Sequence, residues 1–254
     1  MSLRELATNP ISSVRGGRRL QSSPVEAKTC LPRLAIVTVV RNGEATLDAC
    51  IRSVLAQTYP NVDHVIVDGA SSDGTIDILR RHDAALDYWI SEPDKGIYNA
   101  INKAVALVRG PYYVVLGCDD LLLPSAADSF MNHARDALVI FGLVKFESAK
   151  NGQMRIRNHS GGTMINIEAH RLLGGYDESY RIAADTKFLT AARIAGVVKE
   201  IDDVTGIFVA GGASGNYAQN VSEHARAMRE SGAWGFWRSF AWTAPRLALA
   251  ALRR

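Results

Sequence analysis

An unbroken run of apolar and β-branched residues from 34 to 40 is followed by a turn at Asn42-Gly43 and by apolar residues at helical spacing. Such a run predicts a strand that is covered on both faces of a sheet. The alternation repeats, with strands predicted over 64–68, 88–90 and 112–116 and helices beginning at 75 and 97. Looser patterns predict strands over 138–146 and 207–212 and helices over 168–173 and 185–194. This order predicts an α/β fold with a doubly wound, mostly parallel sheet.

Composition and charge narrow the class of protein. The chain has 254 residues, of which 47% are apolar and 22% charged, which is enough to bury a sizeable core. It has neither a run of about 18 apolar residues nor a secretory signal, so we expect a cytoplasmic protein. Residues 1–33 and 221–254 each hold six Lys/Arg and two Glu, a net charge of +4, and the overall +3 leaves −5 between them. An acidic body argues against nucleic-acid binding and suits a metal site.

These observations divide the chain into three predicted parts. Residues 1–33 are rich in Ser, Gly and Arg without periodicity, which predicts a mobile basic leader. Residues 34–220 are predicted to form a single domain, because no linker-like stretch interrupts them. Residues 221–254 are predicted to form a helical extension that is rich in aromatic and arginine side chains.

The extension allows two interpretations. Trp234, Trp237 and Trp242 lie within nine residues, with Arg238 and Arg246 near them. Aromatic rings beside arginines are typical of segments in the headgroup layer, which predicts peripheral contact of 233–254 with the inner face of the plasma membrane. Packing of the same helix on the body or in a homodimer explains the pattern equally well.

Polar residues follow the predicted parallel strands where each strand ends. Arg41 and Asn42 follow the first strand, Asp68 ends the second, and Asp119 and Asp120 follow the strand at 112–116. Ligands of doubly wound sheets bind at this edge. Two adjacent buried carboxylates repel each other unless a positive group offsets them, and Mg²⁺ or Mn²⁺ favours such a pair together with phosphate oxygens. A helix cap or turn is the alternative for the Asp-Asp pair.

Asp68 and Asp73 predict a second acidic edge. Asp68 ends an apolar strand, and Gly69 and Gly74 allow the backbone to approach a ligand closely. A carboxylate in this position is suited to accept hydrogen bonds from a ribose or a base. The alternative is that Asp73 only caps the helix that begins at Thr75.

Several motifs in the right order resemble family 2 glycosyltransferases of the GT-A fold, a Rossmann-like architecture. The resemblance covers about residues 34–215. Within the family, the chain is similar above all to bacterial enzymes of exopolysaccharide, capsule, O-antigen or colanic-acid synthesis. The segments that carry it are Val39-Val-Arg-Asn-Gly43, Ser53-Val-Leu-Ala-Gln-Thr-Tyr-Pro-Asn61, Val65-Ile-Val-Asp-Gly-Ala-Ser-Ser-Asp-Gly-Thr75, Ser91-Glu-Pro-Asp-Lys-Gly-Ile-Tyr-Asn-Ala-Ile-Asn102 and Gly117-Cys-Asp-Asp120.

The resemblance implies a role for each matching residue on the donor side. The metal motif corresponds to Asp119 and Asp120, with Asp120 expected to coordinate Mg²⁺ or Mn²⁺ directly. Arg41 replaces a residue that is commonly tyrosine in the family, so its contact is left open. The residues implied to bind the nucleotide sugar are Val39, Arg41, Asp68, Asp73, Asp94, Lys95, Gly96 and Asp119.

On the acceptor side, the resemblance implies that Asp185 is the catalytic base. The family pattern continues with an aromatic residue and an acid, whereas Thr186 and Lys187 follow here. His159 matches a histidine in a loop that faces the acceptor, although an ordinary loop or core position explains a lone histidine equally well.

The implied activity is metal-dependent, inverting transfer of a sugar from a UDP- or GDP-sugar to a hydroxyl of a lipid-linked polysaccharide or oligosaccharide. One base and one in-line displacement suffice for inversion. A protein that binds nucleotide sugars without catalysis is the alternative. A nicotinamide oxidoreductase is disfavoured, because the turn after the first strand lacks GxGxxG.

Overall fold

The computed structural model describes residues 13–21, 30–147, 154–209, 217–235, 238–239, 241–244 and 246. Over these residues the strands are β1 (Val14–Gly16), β2 (Leu34–Val40), β3 (Val62–Asp68), β4 (Tyr88–Ser91), β5 (Tyr112–Gly117), β6 (Leu121–Leu122), β7 (Val139–Glu147), β8 (Met154–Asn166) and β9 (Val198–Val209). The helices are α1 (Leu47–Leu55), α2 (Thr75–Arg81), α3 (Ile97–Ala106), α4 (Ala126–Asn132), α5 (Ile167–Leu172), α6 (Ala184–Ile194) and α7 (Tyr217–Glu230), with a 3-10 turn at Arg18–Leu20. Residues 238–239, 241–244 and 246 are also helical.

The strands form one sheet in the order β1-β4-β3-β2-β5-β8-β7-β9-β6. The central strands β4, β3, β2 and β5 are parallel, as predicted. Antiparallel pairing begins where β8 joins β5, and it also joins β7 to β8 and β6 to β9. The parallel centre brings the carboxyl ends of β2, β3 and β5 to one edge of the sheet.

Helices cover both faces of the parallel centre. Ala35 and Val37 of β2 pack in a core with residues of α3 and α6. Leu34 and Ile36 point to the opposite face, where residues of α1 and α4 cover them. All of β2 is buried, because successive side chains of a strand alternate between two covered faces. The prediction of a doubly wound α/β fold is confirmed.

The region before β2 differs from the prediction. β1 pairs with β4 as an antiparallel edge strand. Behind it, Arg19 Nη2 lies 2.8 Å from Asp63 Oδ2, and each of these side chains is only 5% exposed. Arg18 forms a second ion pair with Asp87 at 2.7 Å. The prediction of a mobile leader over 1–33 is therefore wrong for residues 13–21, which buried charge pairing and strand hydrogen bonds hold on the body. Residues 1–12 and 22–29 lie outside the described residues.

One further boundary differs from the sequence prediction, and so does the exposure of one residue in α3. Helix α7 runs from Tyr217 to Glu230, so the predicted division between 220 and 221 falls inside a helix that packs on α6. In α3, Ile97 is 39% exposed, while Tyr98 is 5% exposed and faces the core. Ile101 and Val105 of the same helix are buried, so Tyr98 joins them on the inward face and Ile97 alone departs from the aliphatic pattern.

Candidate active site

The register of the parallel strands gathers the predicted donor residues. Val40 pairs with Asp68, and Val39 pairs with Gly117. Arg41, Asp68 and Asp119 therefore follow or end neighbouring strands at the same edge of the sheet. This is the edge at which sheets of this topology bind ligands.

Asp68 is fully buried at the end of β3. Its Oδ2 atom accepts hydrogen bonds from Ser91 Oγ at 2.6 Å and from the Ser71 N–H at 3.0 Å. The hydroxyl of Ser71 bonds to the other carboxylate oxygen. A neighbouring strand and the turn after β3 thus fix the carboxylate before any ligand arrives.

The loop with Asp94, Lys95 and Gly96 lies against the turn that follows Asp68. A β-carbon on Gly69 would stand 2.2 Å from Asp94 Oδ2 and 3.5 Å from Arg41 Cδ. Asp94 Oδ1 accepts the Gly96 N–H at 2.8 Å, while Lys95 and Arg41 are exposed. The structure therefore brings the Asp94 carboxylate and the Arg41 side chain together beside Gly69, with Lys95 next to Asp94 in the chain.

Two other predicted donor residues have positions that secure the fold. The Val39 side chain is 8% exposed and packs in the core. Asp73 accepts hydrogen bonds from the Thr75 N–H at 3.1 Å and from the Glu44 N–H at 3.0 Å. Burial opposes the charge on Asp73, but these bonds and one from the Thr75 hydroxyl lower its pKa. Asp73 thus joins the first residue of α2 to the loop after β2, although Gly74 and not Asp73 is the N-cap of α2, and its nucleotide contact stays a prediction.

Asp119 and Asp120 fold back over the last residue of β5. A β-carbon on Gly117 would stand 2.7 Å from Asp120 Oδ2 and 2.9 Å from Asp119 Oδ1. Neither aspartate caps α4, which begins at Ala126 after an N-cap at Ser125. The helix-cap half of the alternative is therefore wrong, whereas the turn half holds, because the Asp120 N–H donates to the Gly117 carbonyl at 3.1 Å. The two carboxylates converge on one small volume that only glycine leaves free.

The chemistry of this pair fits a shared divalent cation. Among the residues that the structure describes, no group of three or more His, Cys, Asp or Glu side chains is placed to hold a metal ion. Mg²⁺ usually binds one or two carboxylates and completes its shell with substrate phosphates and water. Two converging carboxylates therefore fit a cation that arrives with a diphosphate better than a resident metal. The neighbouring Cys118 thiol has its pKa raised to about 11 by burial and by the Asp119 charge, so it stays neutral.

His159 lies in strand β8, so the prediction that it lies in a loop is wrong. Phe141 and Leu143 of β7 pair with Thr163 and Asn158, which leaves 159–162 of β8 opposite a single residue of β7. This irregularity lets His159 face the aromatic ring of Phe208 at 4.1 Å. Bulges of this kind re-aim side chains beside active sites.

The same irregularity places His159 near the aspartate pair. A β-carbon on Gly161 would stand 3.5 Å from His159 Nδ1 and 3.7 Å from Asp120 Oδ2. A small cavity of about 10 Å³ lies here, with Asp120, Gly161 and Phe208 among its lining residues. His159 therefore borders the site, and its acceptor role stays a prediction.

Asp185 lies in the first turn of α6, half-buried. Its Oδ1 atom accepts the Thr186 N–H at 2.8 Å and lies 3.1 Å from the Tyr98 hydroxyl. Burial, together with the Asp185 charge, raises the pKa of Tyr98, so the hydroxyl keeps its proton. The second oxygen, Oδ2, accepts no hydrogen bond from the part of the chain that the structure describes. Tyr98 follows the 94–96 loop in α3 and thereby connects Asp185 to the donor side.

Sequence reasoning missed three residues of this region. They are Ser91, which bonds Asp68, Tyr98, which contacts Asp185, and Glu223, which binds the backbone before α6. The helical period of α3 signals that Tyr98 faces inward. The contacts of Ser91 and Glu223 join distant segments and leave no local pattern.

The described part of the C-terminal extension packs on α7. The rings of Trp234 and Trp242 lie 5.4 Å apart, and both contact His224, at 5.8 and 5.1 Å. The Arg246 guanidinium stands 4.2 Å from the Trp242 ring centre. Burial lowers the pKa of His224, and the nearby Asp185 charge opposes that shift. The cluster therefore lies near Asp185, whereas Trp237 falls outside the described residues.

The sequence of the chain matches a known protein family. Residues 35–205 match the model of Glycosyl transferase family 2, which is more than half of the chain. The chain therefore belongs to glycosyltransferase family 2. An uncharacterized glycosyltransferase of Mycobacterium tuberculosis is 26% identical over 190 residues, 65% of this chain and 71% of that protein.

Solved structures share the fold. A fragment of S. aureus TarS in complex with UDP-GlcNAc superposes with a TM-score of 0.65 at 14% identity, over 85% of this chain and 71% of that one. The mannosyltransferase PcManGT of Pyrobaculum calidifontis, with GDP-Man and Mn²⁺, gives 0.63 at 17% identity, over 99% and 81%. At these identities the likeness establishes the GT-A architecture alone.

Proposed function

We propose that this protein is an inverting glycosyltransferase that moves a sugar from a UDP- or GDP-sugar to a hydroxyl of a growing polysaccharide. The observation that carries the proposal is the convergence of Asp119 and Asp120 over Gly117, beside the buried Asp68. A nucleotide sugar is both polar and anionic, and this edge offers fixed acceptors for its nucleoside and a cation site for its diphosphate. The bound donors of TarS and PcManGT support this class of substrate.

On the donor side, Asp68 is suited to accept hydrogen bonds from the ribose or base. Arg41 and Lys95 supply positive charge beside it, which favours a diphosphate. We therefore assign nucleoside binding to the end of β3 and phosphate binding to the loops around it.

Asp119 and Asp120 would hold Mg²⁺ or Mn²⁺ together with the donor diphosphate. When bound, such a cation stabilises the negative charge that develops on the departing group. Mn²⁺ accompanies GDP-Man in PcManGT, which supports this part of the proposal. The protein's own contribution is to hold two carboxylates in one place before the donor binds.

Asp185 acts as the general base in the proposed mechanism. Oδ2 takes the proton of the acceptor hydroxyl while the acceptor oxygen bonds to the anomeric carbon and the bond from that carbon to the diphosphate oxygen breaks. The Thr186 N–H donates to Oδ1, and the Tyr98 hydroxyl, whose single proton is shared between the Ile182 carbonyl and this oxygen, lies 3.1 Å from Oδ1, so both groups orient the carboxylate. One displacement on the face opposite the leaving group inverts the anomeric centre.

A lipid-linked acceptor and a peripheral membrane contact are part of the proposal. Within the described residues, no helix has both the length and the apolar character needed to span a membrane. Half-exposed Trp234 and Trp242 beside arginines support a surface contact. Co-sedimentation with anionic lipid vesicles tests it by comparing the full chain with a variant that ends at 232. Equal partition of both proteins would contradict the membrane contact and leave packing on α7 as the role of this segment.

Replacement of Asp185 by Asn tests the catalytic assignment. The variant should bind donor normally but lose at least about 10²-fold in kcat, the usual effect of a general base. Asp203→Asn, at an exposed position of β9, is the matched control. Release of nucleoside diphosphate and formation of product are measured with Mn²⁺ present. Unchanged turnover in Asp185→Asn would remove the base, and no release by the wild type would favour a protein that only binds donor.

A further inference from the structure

Three consecutive backbone N–H groups before α6 point to one carboxylate on α7. Glu223 Oε2 accepts the N–H groups of Arg181 at 3.0 Å, Ile182 at 2.7 Å and Ala183 at 3.2 Å. Its Oε1 accepts the side-chain amide of Gln219 at 2.9 Å. Both oxygens of Glu223 are thus engaged within the acceptor side.

This contact satisfies groups that the helix itself leaves unpaired. N–H groups at and before the first turn of a helix have no partner within the helix, and a negative charge there is favourable. Burial opposes the charge on Glu223, but the hydrogen bonds from Ile182 and its neighbours lower its pKa, so it is ionised at neutral pH. A charged acceptor forms stronger bonds with N–H groups than a neutral one.

The peptide of Ile182 is held from both sides. Its N–H donates to Glu223, and its carbonyl oxygen accepts from the Tyr98 hydroxyl. Tyr98 belongs to α3 and Glu223 to α7, so two helices that are distant in sequence fix one peptide. Asp185 lies three residues further along, in the first turn of α6.

We propose that Glu223 is a positioning residue for the transfer reaction, which fixes the backbone of 181–183 so that Asp185 meets the acceptor hydroxyl. The inference rests on the proposed function. Glu223 lies beyond the segment 35–205 that matches the family model, so this support comes from the extension of this chain. Small displacements of a catalytic group lower rates strongly, even when substrate binding is unchanged.

A second carboxylate on α7 provides a matched control. Glu230 accepts hydrogen bonds from the Tyr180 hydroxyl at 2.8 Å and from Lys187 Nζ at 2.9 Å. It therefore docks the same helix on the same neighbour, but it does not bond the backbone of 181–183. A loss that is due only to looser docking of α7 should appear in both variants.

The experiment compares Glu223→Gln with Glu230→Gln in transfer assays with Mn²⁺. Glu223→Gln should lower kcat by about tenfold with an unchanged donor KM, because one amide oxygen replaces a charged group and its NH₂ opposes the N–H donors. Glu230→Gln should stay within about twofold of the wild type. Equal losses in both variants, or a full kcat in Glu223→Gln, would overturn the inference.

A double variant separates this inference from the proposed function. If Glu223 acts through Asp185, Glu223→Gln should slow Asp185→Asn no further, since coupled residues are not additive. Additive losses would contradict the positioning role, whereas a fully active Asp185→Asn would overturn the base assignment itself. Urea unfolding of each variant checks the fold, and Glu223→Asp, which keeps the charge, should recover part of kcat if Glu223→Gln is too unstable to assay.

Discussion

The proposed donor side and the proposed acceptor side of the site are held by different kinds of contact. On the donor side, the ends of β2, β3 and β5 with the 94–96 loop, short turns fix the carboxylates, as between Asp94 and Gly96. On the acceptor side, residues 177–187 with α7, the partners are distant in sequence: Tyr98 and Asp185 are 87 residues apart. The first side is therefore built at strand ends, by turns and by the neighbouring strand that supplies Ser91, whereas the second depends on correct packing of α7.

The largest effect is expected from the donor side. Asp120→Asn removes one of the two charges that converge over Gly117 and should lower kcat by about 10²-fold or more, the scale found when one electrostatic stabiliser of a transition state is lost. Rates are measured across a Mn²⁺ titration, with Asp203→Asn as the control. A variant that keeps its rate at every Mn²⁺ concentration would show that this pair does not serve the reaction.

A smaller effect is expected where the two sides meet. Tyr98→Phe keeps the buried ring but removes the hydroxyl that contacts Ile182 and Asp185. We expect kcat to fall by about tenfold while the donor KM stays the same. Steady-state kinetics with varied donor separates the two parameters. A raised donor KM with normal kcat would place Tyr98 on the donor side instead.

Gly69→Ala should have a weaker effect that is confined to the donor side. The added β-carbon would stand 2.2 Å from Asp94 Oδ2, so the Asp94 side chain must move away. Because that side chain is flexible, the donor KM should rise by less than about tenfold with little change in kcat. Gly235→Ala is the control, since a β-carbon there meets nothing within 4 Å. An unchanged donor KM would argue against a role of the 94–96 loop in donor binding.

The smallest effect concerns the acid stability of the acceptor side. Hydrogen bonds from Arg226, Lys187 and Tyr180 lower the pKa of Glu230 to about 2, and Lys187 does the same for Asp177. Since both folded pKa values lie below the ordinary ones, this stabilisation is present above the ordinary pKa and is lost as the pH falls toward 2. Both side chains are about one-third exposed, so the contribution is modest.

Thermal unfolding at a series of pH values measures this contribution. Below about pH 4, the melting temperature of the wild type should fall more steeply than that of an Asp177→Asn/Glu230→Gln variant. Parallel curves for the two proteins would contradict the ionic docking of α7.

The contrast between the two sides also explains what the sequence alone predicted. Asp68, Asp119 and Asp120 follow buried strands, and parallel pairing places strand ends together, so the donor side was predictable from local pattern. The strand that contains His159 was not, because its two glycines resemble a loop while tertiary pairing retains the strand. Glu223 sits in an ordinary polar helix, and only the folded chain reveals which backbone it meets.

For Arg18 and Arg19, in contrast, the sequence predicted disorder and the structure shows fixed contacts. In sequence they belong to a Ser- and Gly-rich stretch whose composition is typical of disorder. The partners that hold them, Asp63 and Asp87, lie on or next to strands more than 40 residues away. Composition reports only what a segment can bury by itself, so it overlooked a segment that is fixed by its neighbours.

Strand β1 has a practical consequence for anyone who shortens this protein. A truncation at residue 33, where composition suggests that the domain starts, would remove β1. The N–H and C=O groups of β4 that pair with β1 would then be exposed. Exposed edge strands pair with strands of other molecules and promote aggregation. Poor solubility of a shortened form would then reflect the missing cover, and retaining residues 13–21 should restore a monodisperse preparation.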